Sequence, residues 1–389
     1  MPPSRLSPAV TNDASPRAAA AVSAMLAQRI AAGDFPSAVY LVGERGRERY
    51  ADALGSAVLE PREQAATPET IYDLASLTKP LVTGLLCAQL VERGALELDV
   101  PVAKYLREFS RAARVVMTIR NLLTHASGLP AWRPLRAATN NQPDRVLEVI
   151  AAEKLEFAPG THVLYSDLGF ITLGLLLERL AGSRLAELAR REIFAPLDLR
   201  RTFFNPAAAF QTETAACEIA GNSYERAMCG EAEGAAEAGA WRERVIWGEV
   251  HDGNAYFLGG AAGHAGLFST ARETFQIAQQ FLAARTRLLK PETCALFRTK
   301  MTPGLNEARS LAWQLAATPG SAAGASLPPD SFGHLGFTGT SCWVDPSRER
   351  VFILLTNRTH TRTLPFVNIN AARRKFHDLA VAALEHDQT

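Results

Sequence analysis

The sequence has few cysteines, almost no net charge and no long apolar run. Its 389 residues include five cysteines at irregular spacings, which fits reduced thiols rather than a disulfide framework. The formal net charge of +1 argues against a nucleic-acid partner or an anionic membrane surface, because both need a basic patch. No apolar run approaches the roughly 20 residues of a membrane-spanning helix. We therefore expect neither nucleic acid nor membrane as a partner.

The N-terminal segment 1–17 also lacks the features of a targeting sequence. It is rich in proline, serine and alanine, and we expect it to be a disordered lead-in. The basic start, apolar core and cleavage site of a secretory signal are missing. This pattern predicts a cytoplasmic location.

Strand-like and helix-like patterns are distributed unevenly along the chain. The length predicts one large or two closely associated domains. Strand signals lie at both ends and helical signals in the middle, which predicts an α/β (α+β) fold with an antiparallel sheet flanked by helices and an all-helical insertion. We expect a discontinuous sheet domain over 18–85 and 265–389, a mostly helical domain over 86–264, and the active site between them. Residues 205–245 are the least legible segment.

The most informative motif is the stretch Ser76-Leu77-Thr78-Lys79. Its serine and lysine stand at i and i+3, on one face of a helix. Pro80 is typical of a first helical turn, so the pattern predicts a helix over 77–90 with Ser76 at its positive end. A serine nucleophile needs a base within hydrogen-bond reach, and Lys79 is placed to be one. A helix N-cap with a solvated lysine is the alternative for this motif taken alone.

Two later motifs change the balance between these alternatives. Tyr165-Ser166-Asp167 lies mid-chain, and His334-Leu335-Gly336 leads into a strand-like segment near the C-terminus. In this order the three motifs resemble the serine β-lactamase and penicillin-binding protein superfamily, on the side that contains class C β-lactamases, DD-peptidases and family VIII esterases. The resemblance runs over nearly the whole chain, with further matching stretches at 121–130, 165–170, 260–270 and 354–358.

The resemblance implies a role for each motif residue. Ser76 would be the nucleophile that forms an acyl-enzyme, and Lys79 the base or proton shuttle, with a pKa that we expect burial and neighbours to lower. Tyr165 would be the general base and acid, which requires a neighbouring cation. Asp167 stands where asparagine is more common. It favours the ammonium form of Lys79 and shifts the expected base toward Tyr165; alternatively, it caps the helix that begins at Leu168.

The third motif matches the lysine-threonine-glycine of penicillin-recognising enzymes, but with His334 in the lysine position. Gly336 would let substrate approach the strand backbone, and the N–H groups of Phe337 and Ser76 would form the oxyanion hole. A histidine is mostly neutral at about pH 7.5, whereas a lysine is a permanent cation. We therefore expect weak capture of substrate carboxylates and a preference for neutral esters and amides.

Several residues in glycine-bearing segments are candidates for the substrate pocket. These are His251, Asp252, His264 and Thr338. Cys217, Glu218 and Cys229 also lie in this part of the sequence, but the spacings fit no compact ligand pattern, so we expect no metal. His125 is expected to stabilise a turn.

The sequence thus predicts a serine hydrolase that acts through an acyl-enzyme on a small-molecule ester, amide or lactam, without a cofactor. Esterase or amidase activity is favoured, and a DD-peptidase (penicillin-binding protein) or a β-lactamase is the alternative. A non-catalytic binding protein on the same fold is disfavoured, because Ser76, Lys79 and Tyr165 are all present. The oligomeric state is left open.

Overall fold

The computed structural model describes residues 16–110, 116–236 and 241–386. For 16–18 and 230–236 it describes the backbone alone. The predicted lead-in therefore lies almost wholly outside the described residues.

A seven-stranded antiparallel sheet forms the centre of the structure, in the order β3-β2-β1-β10-β9-β8-β7. Its strands are β1 (Ser37–Glu44), β2 (Arg47–Val58), β3 (Gln64–Ala65), β7 (Gln314–Leu315), β8 (Phe332–Leu335), β9 (Ser341–Asp345) and β10 (Arg350–Thr356). The first and last of the long strands are neighbours, with Ala38 opposite Thr356. The prediction of an antiparallel sheet built from both ends of the chain is confirmed.

Both faces of the sheet are covered by apolar side chains. Along β1, Tyr40 and Val42 pack with helices α1 (Pro16–Ala31) and α12 (Asn370–His386). The alternate residues Val39 and Leu41 face the larger core on the other side. Because successive strand residues point to opposite faces, burial on both faces makes the central strands almost continuously apolar.

The middle of the chain is mostly helical. Its helices are α2 (Leu85–Glu92), α3 (Ile119–Leu123), α4 (Leu135–Ala138), α5 (Val146–Ala152), α6 (Asp167–Ala181), α7 (Leu185–Ala189), α8 (Ser223–Ala236) and α9 (Gly253–Phe257), and two more follow, α10 (Ala271–Ala278) and α11 (Pro291–Arg298). A small second sheet, β4-β6-β5, joins Tyr72–Asp73, Leu267–Ser269 and Phe203–Phe204. The insertion is therefore not all-helical, since it contributes β5. The domain boundaries stay predictions. None of the helices in the described ranges is long and apolar enough to cross a membrane.

The segment after Ser76 is less regular than the predicted helix 77–90. A 3₁₀ turn (Ala75–Leu77) leads into a π-helical turn (Lys79–Gly84), and only then does α2 begin. Pro80 at the start of the π-helical turn has no N–H to donate, which is one cause of this irregularity.

Helix α6 begins one residue earlier than expected. Its N-cap is Ser166, whose hydroxyl accepts the Gly169 N–H at 3.3 Å. Asp167 is the first helical residue, so the interpretation of Asp167 as the cap is wrong. The serine hydroxyl already takes the free N–H of the first turn, which leaves the Asp167 carboxylate for another partner.

Candidate active site

The start of α6 and the turn after β4 bring the predicted catalytic residues together. The Lys79 side chain is fully buried, and its Nζ lies 2.9 Å from Ser76 Oγ and 2.7 Å from Asp167 Oδ1. Nζ also donates to the His264 carbonyl at 3.1 Å and lies 4.9 Å from the centre of the Tyr165 ring. A serine hydroxyl, a lysine and a phenol in contact are a set that can move a proton to and from a nucleophile.

The protonation of Lys79 differs from the expectation. Burial alone would lower the pKa of Lys79, but the Asp167 carboxylate and Tyr165 together hold that pKa above the ordinary lysine value. The prediction of a lowered Lys79 pKa is therefore wrong. An opposite charge in direct contact outweighs desolvation here, so the resting state contains an ammonium ion.

Tyr165 is also protonated in the resting state. Burial raises the pKa of the Tyr165 phenol, and its interactions with Lys79 and Ser76 offset only part of that rise, while Asp167 adds to it. The neighbouring cation that the sequence predicted is present. It does not bring the pKa of the phenol below its ordinary value. A catalytic cycle must therefore begin by generating a base.

His125 packs against the ring of Tyr165. Its ring packs on the Tyr165 ring with centres 4.5 Å apart, and its Nδ1 accepts the Ser166 N–H at 3.0 Å. The backbone of His125 has a φ of 58°, as a tight turn requires. The histidine therefore positions the tyrosine as well as the turn.

Buried hydrogen bonds from several elements hold the loop that carries the nucleophile. Asp73 accepts the Ala75 N–H at 2.8 Å, which supports a positive φ of 47° at Ala75. Asp73 also accepts the His251 N–H at 2.7 Å. The Thr338 and Thr340 hydroxyls donate to the carbonyls of Asp73 and Leu74, at 2.7 and 2.9 Å. Thr338 is thus buried behind the nucleophile loop rather than exposed in a substrate pocket.

The contact between the β8–β9 connection and the nucleophile loop also requires a glycine at position 336. A Cβ at this position would lie 2.5 Å from the Leu74 carbonyl oxygen and 1.9 Å from Thr340 Oγ1. The glycine therefore lets the β8–β9 connection approach the nucleophile loop. The next residue, Phe337, lines the cavity described below, and its N–H makes no hydrogen bond within the described part of the chain.

His334 is a neutral, buried histidine. It is 4 % exposed, and its Nδ1 is bonded to the Leu335 carbonyl at 2.9 Å. Burial, reinforced by the charge of Lys79, holds the pKa of His334 well below the ordinary histidine value. The burial and lowered pKa of His334 agree with the prediction that this residue is not a permanent cation.

A cavity of about 610 Å³ opens onto Ser76. Its lining includes Ser76, Tyr165, Asp167, Glu225, His251, Asp252, His334, Gly336, Phe337, Arg358 and Arg373, together with apolar side chains such as Trp132, Tyr224 and Met228. His264 and Thr338 are not among the lining residues. His264 contributes instead through its carbonyl, which accepts from Lys79.

One part of this cavity carries ionised and neutral carboxyl groups. His251 Nε2 lies 2.9 Å from Glu218 Oε2, and Asp252 Oδ1 lies 2.9 Å from His264 Nε2. Glu225 accepts the Gly253 N–H at 2.9 Å, and burial together with the nearby Asp252 charge raises the pKa of Glu225 to about 8. Glu225 is thus a proton-holding group near neutral pH.

Another part of the cavity carries two guanidinium groups. Arg373 donates to the carbonyls of Gly336 and Thr340, both at 2.9 Å, and Arg358 donates to the Phe337 carbonyl at 2.7 Å. Burial, with the charge of Arg358, lowers the pKa of Arg373 to about 9. Both are cations bound to backbone carbonyls.

Comparison with known proteins identifies the family. Residues 22–374 match the family model described as Beta-lactamase. The chain belongs to the β-lactamase family. A "Putative D-alanyl-D-alanine carboxypeptidase" of Escherichia coli (strain K12) is 30 % identical over 363 residues, which cover 86 % of this chain and 81 % of that relative.

Several solved structures share this fold. One is described as "EstCE1, a hydrolase with promiscuous acyltransferase activity" (21 % identity, TM-score 0.71, 94 % of this chain and 99 % of that one). A penicillin-binding protein homologue from Caulobacter crescentus has 20 % identity and a TM-score of 0.71 over 95 % and 99 % of the two chains. A class C β-lactamase has 17 % identity and a TM-score of 0.71 over 95 % and 98 %. As a member of the family that its sequence matches, the chain is a serine hydrolase.

The potential metal ligands of this β-lactamase-family protein already have partners. Asp167, Asp252 and His264 offer donor atoms within 4.8 Å of one another. Asp167 lies against the Lys79 ammonium, and His264 is bonded to Asp252. Within the described residues these contacts account for the charges without an ion, and the absence of a metal stays a prediction.

Several cavity residues were missed by the sequence analysis, among them the charged residues Glu225, Arg309, Arg358 and Arg373. Arg358 lies in the stretch 354–358 that contributed to the resemblance, but a single arginine after a strand carries no sign of what it faces. Glu225 lies in the segment 205–245, whose composition gave no strong pattern.

Proposed function

We propose that Ser76 is the nucleophile of an acyl-enzyme mechanism, with Lys79 and Tyr165 as the proton-transfer groups. The single observation that carries the proposal is the buried contact of 2.9 Å between Lys79 Nζ and Ser76 Oγ. A helix cap with a solvated lysine, the alternative for this motif, would leave the ammonium in water. The Lys79 side chain is instead fully buried and paired with Asp167.

The cycle begins with the minor population in which Lys79 or Tyr165 has lost its proton. That group takes the Ser76 proton while Oγ attacks the carbonyl carbon, and the proton then goes to the leaving group as the carbon–leaving-group bond breaks. Water attacks the acyl-enzyme in the same way and regenerates the serine. We assign the oxyanion hole to the N–H groups of Ser76 and Phe337, each worth about 3 kcal/mol in such sites.

Neutral esters and amides are the substrates that His334 favours. In the penicillin-recognising pattern this position carries a lysine, whereas this histidine stays neutral because of burial and Lys79. A substrate carboxylate therefore finds no cation at this position. This reasoning supports esterase or amidase activity.

A carboxypeptidase is the second candidate, favoured by a different observation. Arg358 and Arg373 line the cavity and can bind a substrate carboxylate in place of the missing lysine. The Escherichia coli relative named as a putative D-alanyl-D-alanine carboxypeptidase points to the same chemistry. A β-lactam carries both a carboxylate and a reactive amide, and it therefore probes this candidate directly.

The test is the intact mass of the protein after incubation with a penicillin and, separately, with 4-nitrophenyl butyrate. An adduct mapped to the peptide that contains Ser76 is expected with at least one of them. Ser76→Ala should remove it, and Ser110→Ala, at an exposed serine outside the cavity, should not. A persistent penicillin adduct favours a penicillin-binding protein, and rapid loss with product release favours a β-lactamase. An adduct that survives Ser76→Ala would refute the assignment of the nucleophile.

A further inference from the structure

We propose that the cavity is built for a zwitterionic substrate, whose carboxylate lies against Arg358 and Arg373 and whose ammonium group lies against Glu225 and Asp252. This inference rests on the proposed acyl-enzyme at Ser76 and on its carboxypeptidase candidate, because Arg358 and Arg373 supply the cations that the neutral His334 does not. It goes further than ester, amide or lactam by assigning a charge to each end of the molecule.

The anionic end follows from two cations that lack a counter-ion. Arg373 is 5 % exposed, and its Nε is buried without a hydrogen-bond partner. Within the described residues, Arg358 and Arg373 bond to carbonyl and amide oxygens and form no ion pair with a carboxylate. Burying a cation without a counter-ion is costly, and an incoming carboxylate would offset part of that cost.

The cationic end follows from Glu225, which forms no ion pair within the described residues, although His251 and Arg242 lie close enough to favour its ionisation. Asp252 is bonded to His264, whereas the hydrogen bonds to Glu225 in the described part of the chain come from the Gly253 N–H and the Asn222 side-chain amide. Glu225 is 7 % exposed and lines the cavity with Asp252, whose charge disfavours ionisation of Glu225. A bound ammonium group would give Glu225 a direct ion-pair partner, and Glu225 would then lose its proton.

The two charged regions are separated by the ring of Phe337. This ring packs against the Arg358 guanidinium at 4.8 Å and against the His251 ring at 5.7 Å. Tyr224 also packs on Phe337, with centres 4.9 Å apart. This aromatic wall lies between the Arg358 guanidinium and the His251 side of the cavity. A substrate that crosses this wall can satisfy both.

The test uses two series of thioesters in which the charge at each end of the molecule is varied. The acyl part is alanyl with a free or an acetylated amine, and the leaving group is thioglycolate or its amide. Nα-acetyl-lysyl thioesters, with the ε-amine free or acetylated, provide a longer series, and each acyl group is made in both configurations. Thiol release gives kcat/KM. In at least one series the zwitterion should exceed both singly charged compounds by about tenfold, which corresponds to about 1.4 kcal/mol.

Two variants assign the effect to its residues. Glu225→Gln should reduce the ratio of free-amine to acetylated substrates to near one, while Glu187→Gln, at an exposed glutamate outside the cavity, should leave that ratio as it is. Arg358→Gln should do the same for the ratio of carboxylate to amide leaving groups. Should Arg358→Gln fail to fold, the charge series with the unmodified protein still decides that end.

The outcomes are distinguishable from failure of the proposed function. If no thioester is hydrolysed and Ser76 takes up no acyl group, the proposed function fails. If thioesters are hydrolysed but free and acetylated amines are equal in both series, or the Glu225→Gln ratio matches that of the parent protein, the zwitterion inference is overturned.

Discussion

Asp167→Asn tests the electrostatics of the catalytic centre most directly. The carboxylate lies 2.7 Å from Lys79 Nζ, and it raises the pKa values of both Lys79 and Tyr165. An opposite charge at contact distance typically shifts a pKa by about 1–3 units, or about 1.4–4 kcal/mol. Asparagine keeps the size of the side chain and removes the charge. The pKa of whichever group is the base should therefore fall by about 1–3 units.

The assay is kcat/KM for a neutral ester from about pH 6 to about pH 9.5. In the parent protein the rate should rise throughout this range, because both candidate bases are protonated at neutral pH. In Asp167→Asn the plateau should begin about 1–3 units lower. Asp144→Asn, at an exposed aspartate outside the cavity, should keep the parent profile. An Asp167→Asn profile that superimposes on that of the parent would refute the electrostatic role of Asp167.

Three further predictions concern the β8–β9 region. The ratio of kcat/KM for carboxylate-bearing over neutral substrates should stay flat from about pH 8 to about pH 6, because the pKa of His334 is held well below this range; a rise on acidification would show a His334 cation at work. Gly336→Ala should remove most activity, because its Cβ would lie 2.5 Å from the Leu74 carbonyl oxygen; normal kcat/KM would contradict this packing. Thr338→Val should lower the free energy of unfolding by about 1–3 kcal/mol, because the buried Asp73 carbonyl loses its donor; an unchanged denaturation midpoint would count against that bond.

The sequence predicted the strands and helices whose formation depends on residues close together in the chain. The sheet strands near both ends were predicted from strand-like segments, and helix α6 from a long segment that is apolar on most faces. The helical turn at Ser76 was predicted from the Ser–Lys spacing and from Pro80. Tyr165 and Asp167 were expected near Lys79 through the resemblance, and the structure brings these side chains together.

Properties that arise from distant contacts were not predictable in this way. The pKa of Lys79 depends on whether burial or Asp167 dominates, and that balance depends on a 2.7 Å contact between segments far apart in the sequence. Arg373 carries no local signal either, because its importance comes from three carbonyl and amide partners on other segments and its own helix. The N-cap of α6 shows the same limit at short range. Ser166 and Asp167 are both good N-cap residues, and the sequence alone did not predict that Ser166 is the cap.

The pairing of β1 with β10 has a consequence for the nascent chain. A ribosome makes β1 long before it makes the partner strand β10 and the Thr338 and Thr340 hydroxyls that hold the nucleophile loop. A chain that already contains Ser76 and Lys79 still lacks the strand that completes the sheet beside it. Hydrolysis therefore requires that synthesis has passed β10, and products truncated before Thr338 are expected not to hydrolyse esters.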